Sequence, residues 1–66
     1  MYMTVSVYVE VNNRPKNVYT ERVRVSEDQS LDELGSMKDD IAIKFVEKNP
    51  HFKWHICEVR GVVTVR

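Results

Sequence analysis

With 66 residues, the chain is long enough for one domain (1–66) but too short to enclose a deep substrate cleft within its core. A hydrophobic content of 42% excludes a disordered chain, and a net charge of zero argues against binding nucleic acid through bulk positive charge. We therefore expect a single folded domain of ordinary globular composition.

The charges are unevenly distributed along the chain. Residues 1–25 and 51–66 both carry an excess of basic side chains, whereas residues 26–50 carry seven acidic side chains against three lysines. Such a charge dipole steers an approaching partner rather than stabilising the fold. The distribution predicts a basic sheet and an acidic helix.

Cysteine usage and the first residues bear on the cellular compartment. Cys57 is the only cysteine, whereas a secreted domain of this size would usually carry disulfides. The N-terminus lacks the basic segment and apolar run of a signal peptide, and no stretch approaches the ~20 apolar residues of a membrane span. A cytoplasmic protein is expected.

The segment Tyr2–Val11 alternates strictly between apolar and polar residues, which is typical of a half-buried strand with its valines inward. After a polar turn, a second strand over Val18–Ser26 changes the parity of its alternation. A bulge near Glu21 and Arg22 would restore the pattern, because one extra residue resets the alternation. The core face of this strand would then carry Val18, Thr20, Val23 and Val25.

A helix is predicted to begin at a capping box formed by Ser30 and Glu33 and to end at Asn49-Pro50. Gly35-Ser36 is a weak point at which the first turn can separate. Lys38 falls within the apolar stripe, so its stem is expected to lie along the core with the ammonium in water. The stripe recurs at helical spacing and consists of Leu31, Leu34, Met37, Ile41, Ala42 and Phe45.

The C-terminal segment predicts further strands. Phe52, Trp54 and Ile56 alternate and are expected to face the core. Beyond them, either Arg60-Gly61 is a tight turn that brings Val63 and Val65 to the core in a fourth strand, or one long strand bends at Gly61. The expected fold is therefore α+β: a single antiparallel sheet of three or four strands with one helix packed on one face, in the order ββαβ or ββαββ.

The sequence offers no pattern typical of catalysis. His51, His55 and Cys57 are the only cluster of metal-ligand types, but a closed zinc site needs four ligands. Neighbouring acids such as Asp39 and Asp40 point about 100° apart on a helix and do not converge on a substrate. With no glycine-rich phosphate loop and no nucleophile motif, we expect neither an enzyme nor a metal or other cofactor.

One helix can cover only one face of a sheet, which leaves the other face to water or to a partner. With the bulge described above, that face presents tyrosines and basic side chains, and Tyr and Arg are enriched at binding hot spots. The alternative is that the tyrosines simply form good cross-strand pairs. The predicted partner-binding residues are Tyr2, Tyr8, Tyr19, Arg22, Arg24, Lys53 and His55.

Three functions are compatible with this face and with the strand edges. The first is a small non-enzymatic module that binds another protein. The second is single-stranded nucleic-acid binding, in which the same face stacks bases and neutralises phosphates, although zero net charge does not favour it. The third is a structural homodimer, formed by sheet-face packing or by pairing of an edge strand over Val62–Val65.

In length and layout, the chain resembles the small α+β proteins that bacteriophages encode to bind and redirect host proteins. The resemblance covers the whole chain as a plan and carries no functional residue. It implies a protein-binding role, such as inhibition or modulation of a host protein, rather than catalysis.

Overall fold

The computed structural model describes residues 1–65 and confirms the α+β fold. A three-stranded antiparallel sheet has the order β2-β1-β3, so the first strand of the chain is the central one. A single helix packs on one face of this sheet. The elements are β1 (Tyr2–Val11), β2 (Arg14–Arg24), α1 (Leu31–Lys48), a short 3-10 helix (Pro50–Phe52) and β3 (Ile56–Thr64).

A two-residue turn joins β1 to β2. Asn12 and Asn13 both have positive φ angles, 53° and 63°, which is the backbone of a type I′ turn. Its twist matches that of the two strands, and asparagine tolerates the left-handed region better than other residues with a side chain. The turn is therefore only two residues long, and β2 runs over Arg14–Arg24 and begins four residues earlier than the strand predicted at Val18.

The bulge in β2 lies at Val18. Val7 is opposite Tyr19 while Tyr8 is opposite Asn17, so Val18 is the extra residue on β2. The prediction of a bulge near Glu21 and Arg22 is therefore wrong. Because the displacement comes three residues earlier, Tyr19 and Glu21 lie opposite Val7 and Val5 on the face that α1 covers.

The helix forms as its capping residues predict. The Glu33 amide donates to Ser30 Oγ (3.2 Å), and the Glu33 carboxylate accepts from the Ser30 amide (3.5 Å). The helix is continuous through Gly35-Ser36, so the first turn does not separate. The aliphatic part of Lys38 lies against Gly61 of β3, as expected for a lysine within the apolar stripe.

The segment before β3 departs from the predicted strand. Pro50 starts a 3-10 turn, because its fixed φ suits the first position of a helix. Phe52 is half-buried in this turn, whereas Trp54 is 84% exposed in the bend that follows it. The prediction that Trp54 faces the core is wrong.

β3 is one strand that runs through Gly61, so the alternative of a single long strand is confirmed and the tight turn at Arg60-Gly61 is wrong. Residues 1–65 contain three strands. The register on β1 shifts once, because Tyr8 is opposite Glu58 while Val9 is opposite Ile56, leaving Cys57 as the extra residue. Val63 and Val65 are exposed rather than buried.

The core lies between α1 and the side of β1 that carries its odd-numbered residues. One cluster centres on Met3, Val5 and Val25, with half-buried Leu34, Met37, Ile41 and Val59 against it. At the other end, the Phe45 ring stacks on Tyr19 and on Phe52, with centroids 4.9 and 5.5 Å apart. The first residue of the helix, Leu31, is predicted to belong to the core but is 86% exposed.

Candidate functional site

The sheet face opposite α1 is the first candidate site, and we call it the open face. Residues that lie directly opposite in antiparallel strands share a face, so the register assigns its members. None of these side chains is buried. They are Tyr2, Thr4, Ser6, Tyr8 and Glu10 of β1, Pro15, Asn17, Thr20, Arg22 and Arg24 of β2, and Glu58, Arg60, Val62 and Thr64 of β3.

Two guanidinium–tyrosine pairs organise the open face. The Arg22 Cζ lies 4.0 Å from the centroid of the Tyr2 ring, and the Arg60 Cζ lies 5.3 Å from that of Tyr8. Both contacts are diagonal across neighbouring strands, a spacing that long side chains reach. Cation–π contacts at exposed positions contribute about 0.5–1 kcal/mol each. Each tyrosine ring is therefore held beneath a planar cation.

The charges divide the open face into two ends. At one end, Arg60 Nη2 lies 2.8 Å from Glu58 Oε2, and this carboxylate raises the pKa of the Arg60 guanidinium. At the other end, Arg22 and Arg24 form no ion pair with any residue of the described chain, 1–65. The first end carries this neutralised pair and the exposed Glu10, whereas the second carries two uncompensated positive charges beside Tyr2.

Hydroxyl groups occupy the middle of the open face. Ser6 Oγ lies 3.4 Å from Thr20 Oγ1, and Thr4 lies beside them on β1. These short side chains present donors and acceptors without bulk. A partner chain laid across the sheet would therefore meet polar groups between the two tyrosines.

The structure brings together four of the predicted partner-binding residues and separates three. Tyr2, Tyr8, Arg22 and Arg24 lie on the open face as expected. Tyr19 lies on the helix-covered face, because the bulge at Val18 reverses its direction. The remaining two, Lys53 and His55, lie in the bend before β3 and not on the sheet.

Sequence reasoning missed the contribution of β3. Glu58, Arg60 and Val62 join the open face because β3 runs straight through Gly61. Their alternation from Glu58 to Thr64 carried the signal, but the tight-turn interpretation of Arg60-Gly61 broke it into two segments.

A second candidate is the cleft between α1 and the end of β2. Its volume is about 230 Å³, and Tyr19, Glu21, Lys44, Phe45 and Lys48 line it. The Tyr19 hydroxyl donates a short hydrogen bond to the Glu21 carboxylate, which raises the pKa of Tyr19 because the tyrosinate could not donate. The cleft is smaller than the ~300–1,000 Å³ of ordinary ligand pockets, and its two best hydrogen-bonding groups already satisfy each other.

An apolar groove of about 340 Å³ lies between α1 and the start of β3. Ile43, Val46 and Ile56 line it, and Lys53 stands at its side. Ile43 is 57% exposed, and the exposed Trp54 follows Lys53, whose Nζ lies 5.1 Å from the centroid of its ring. The groove therefore belongs to the margin of the sheet along β3 rather than to the open face.

The remaining sequence candidates do not form sites. Within residues 1–65, no group of three or more His, Cys, Asp or Glu side chains is arranged to hold a metal ion, and this includes His51, His55 and Cys57. The same part of the chain contains no helix with the length and apolar character that crossing a bilayer requires.

Comparison of the chain with protein-family models, with curated proteins and with solved structures gives no match, so its function has to be argued from its own residues.

Proposed function

We propose that the protein is a non-enzymatic binding module that captures an acidic segment of another protein on its open face. The observation that carries the proposal is the pair Arg22 and Arg24, which project from one side of β2 beside Tyr2 with no acidic counter-charge among residues 1–65. Guanidinium groups bind carboxylates through two parallel hydrogen bonds, and a neighbouring aromatic ring adds contact area.

The charge arrangement of the whole molecule supports an acidic partner. The acids of the sequence are concentrated between residues 26 and 50, which fold into α1 and the loop before it. The five acids of α1 therefore lie across the sheet from Arg22 and Arg24, whereas Glu27 and Asp28 lie in the loop that follows β2. An acidic segment approaching this protein is repelled from the helix side and attracted to the open face, which orients the encounter.

The open face favours a protein partner over a nucleic acid. Single-strand binders stack bases on free aromatic faces along a basic groove. Here a guanidinium lies over both Tyr2 and Tyr8, and Glu58 neutralises one of those guanidinium groups. Two uncompensated charges match a short acidic segment better than a chain of phosphates, which needs a longer basic track.

The test uses fluorescent acidic peptides, basic peptides of equal length and single-stranded oligonucleotides as probes. The variant Arg22→Gln/Arg24→Gln removes both uncompensated charges, and Arg14→Gln/Lys16→Gln is the matched control on the same strand. We expect the first variant to weaken acidic-peptide binding by about tenfold or more and the control to change it little. Circular dichroism should be unchanged in both, because all four side chains are exposed.

Two results would overturn the proposal. Equal losses in both double variants would show that only bulk charge matters. Binding of oligonucleotides in preference to acidic peptides, with a logarithmic salt slope of roughly −0.7 per phosphate contact, would favour the nucleic-acid function instead.

A further inference from the structure

The two edges of the sheet differ in how they are protected against pairing with another strand. The β2 edge carries Pro15, which has no amide donor, a bulge at Val18, and the basic side chains Lys16, Arg22 and Arg24. These are the usual devices that prevent edge pairing, and two copies of β2 would also repel each other. The β3 edge also has a bulge, at Cys57, but it has no proline, and its two charges, Glu58 and Arg60, are of opposite sign.

The hydrogen-bonding pattern identifies which groups of β3 are free. The Val25 amide donates to the Met1 carbonyl (3.0 Å), so the odd-numbered residues of β1 bond to β2 and the even-numbered ones to β3. The backbone groups of the even-numbered residues of β3, from Glu58 to Thr64, therefore form hydrogen bonds with β1. The amide and carbonyl groups of Val59, Gly61 and Val63 point away from the sheet.

Exposed apolar side chains flank both ends of this free edge. At the end of β3, the largely exposed Leu31 lies with Val63 around one hollow on the helix side of the sheet. At its beginning are Trp54 and the groove that contains Ile43. An antiparallel copy of β3 would bring the beginning of one strand to the end of the other, so the two apolar groups would cover each other.

From these observations we infer that β3 pairs antiparallel with β3 of a second copy, about a twofold axis at Val59. In this register Glu58 of each copy lies opposite Arg60 of the other, which gives two ion pairs across the interface. An axis at Arg60 would place two arginines face to face. An axis at Gly61 would leave Glu58 and Arg60 opposite uncharged residues. Charge complementarity therefore selects the Val59 axis.

The dimer has a six-stranded antiparallel sheet. Because opposite residues of antiparallel strands share a face, both helices lie on one side and both open faces join on the other. The interface is isologous and closes on itself, so it does not propagate into fibres. The pairing does not depend on the acidic partner of the open face, and Arg22 and Arg24 remain accessible at the outer strands.

The test reverses one charge at a time. Glu58→Arg places an arginine opposite Arg60 of the second copy, and Arg60→Glu places a glutamate opposite Glu58 of the second copy. Both variants lose the intrachain ion pair, and Arg60→Glu also loses the contact of Arg60 with the Tyr8 ring, so circular dichroism first checks that each variant is folded. We expect sedimentation equilibrium to show a wild-type dimer, and each variant to self-associate about tenfold more weakly or worse.

Mixing the two variants restores opposite charges at both positions, so a one-to-one heterodimer should form with near wild-type affinity. The double variant Glu58→Arg/Arg60→Glu should again form a homodimer. Trp54 emission should shift to shorter wavelength on association, because the partner strand covers this exposed ring. If either single variant fails to fold, Glu58→Lys and Arg60→Asp repeat the same test.

Three results would overturn the proposal. The first is a wild type that stays monomeric from micromolar to millimolar concentration. The second is dimerisation of the single variants as strong as that of the wild type. The third is a mixture of the two variants that associates no better than each variant alone. If β3 instead pairs with an extended peptide, the wild-type protein alone would be monomeric, and this result would equally contradict the proposed dimer.

Discussion

Phe45 connects the helix to β2 and to the 3-10 turn, and its removal is the most informative test of the core. It is the one buried side chain of α1, and it stacks on Tyr19 of β2 and on Phe52 of the 3-10 turn. Replacing a buried phenylalanine by alanine costs about 3–5 kcal/mol. A domain of this length has a total stability of about 3–10 kcal/mol, at roughly 0.05–0.15 kcal/mol per residue. Phe45→Ala should therefore remove about half of the stability or more.

Urea unfolding followed by helical circular dichroism measures this loss. Phe45→Leu keeps an apolar side chain but loses two ring contacts worth about 0.5–1.5 kcal/mol each, so it should retain a cooperative transition at lower urea. Ile43→Ala is the control on the same helix, and its cost should be within about 0.5 kcal/mol because the side chain is largely exposed. If Phe45→Ala unfolds at the same urea concentration as Ile43→Ala, the stack does not hold the helix to the sheet.

Two further predictions concern single contacts. Glu21→Gln should lower the pKa of Tyr19 toward its ordinary value, because the hydrogen bond to the Glu21 carboxylate and the negative charge of that carboxylate both raise the pKa of Tyr19. Tyrosine-selective NMR titration measures this shift. An unchanged pKa would mean that the hydrogen bond does not form in solution. Since the folded-state pKa lies above the unfolded one, the stability from this contact is complete below pH ~10 and is lost as the pH rises further. At the hairpin, Asn13→Ala should lower the free energy of unfolding by about 1 kcal/mol, whereas Asn13→Gly should leave it unchanged or raise it, because only glycine adopts a positive φ without penalty. Equal melting temperatures of the two variants would contradict the type I′ turn.

The regular elements were predictable because their signals are local. The alternation of β1 and the capping box at Ser30 each depend on a few neighbouring residues, and both appear in the structure. The position of the β2 bulge was not predictable in this way. A carboxylate on the core face looked prohibitive, but Glu21 lies at the rim, where the Tyr19 hydroxyl satisfies it. The same orientation lets Tyr19 stack on Phe45, a contact with a distant segment that the sequence of β2 does not reveal.

The C-terminal errors have a similar origin. Alternation of Phe52 and Trp54 fits a strand, but Pro50 starts a 3-10 turn that directs Phe52 onto Phe45. Gly61 looked like a turn residue, whereas in the structure it provides room for Lys38 and Met3 to cross β3. The sequence around a glycine does not show whether it permits a turn or a close approach. At Gly61 the answer depends on α1, which is distant in sequence.

The central position of β1 determines the order in which the protein is assembled. The ribosome releases β1 first and β3 last, yet Tyr2 pairs with Thr64 in the finished sheet. The hairpin with β2 forms from neighbouring residues, but β1 keeps one unpaired edge until β3 has been synthesised. Such long-range closure is slow and exposes sticky intermediates. A nascent chain stalled before β3 would therefore present the most apolar strand of the molecule as a free template, and chaperone demand should peak at that point.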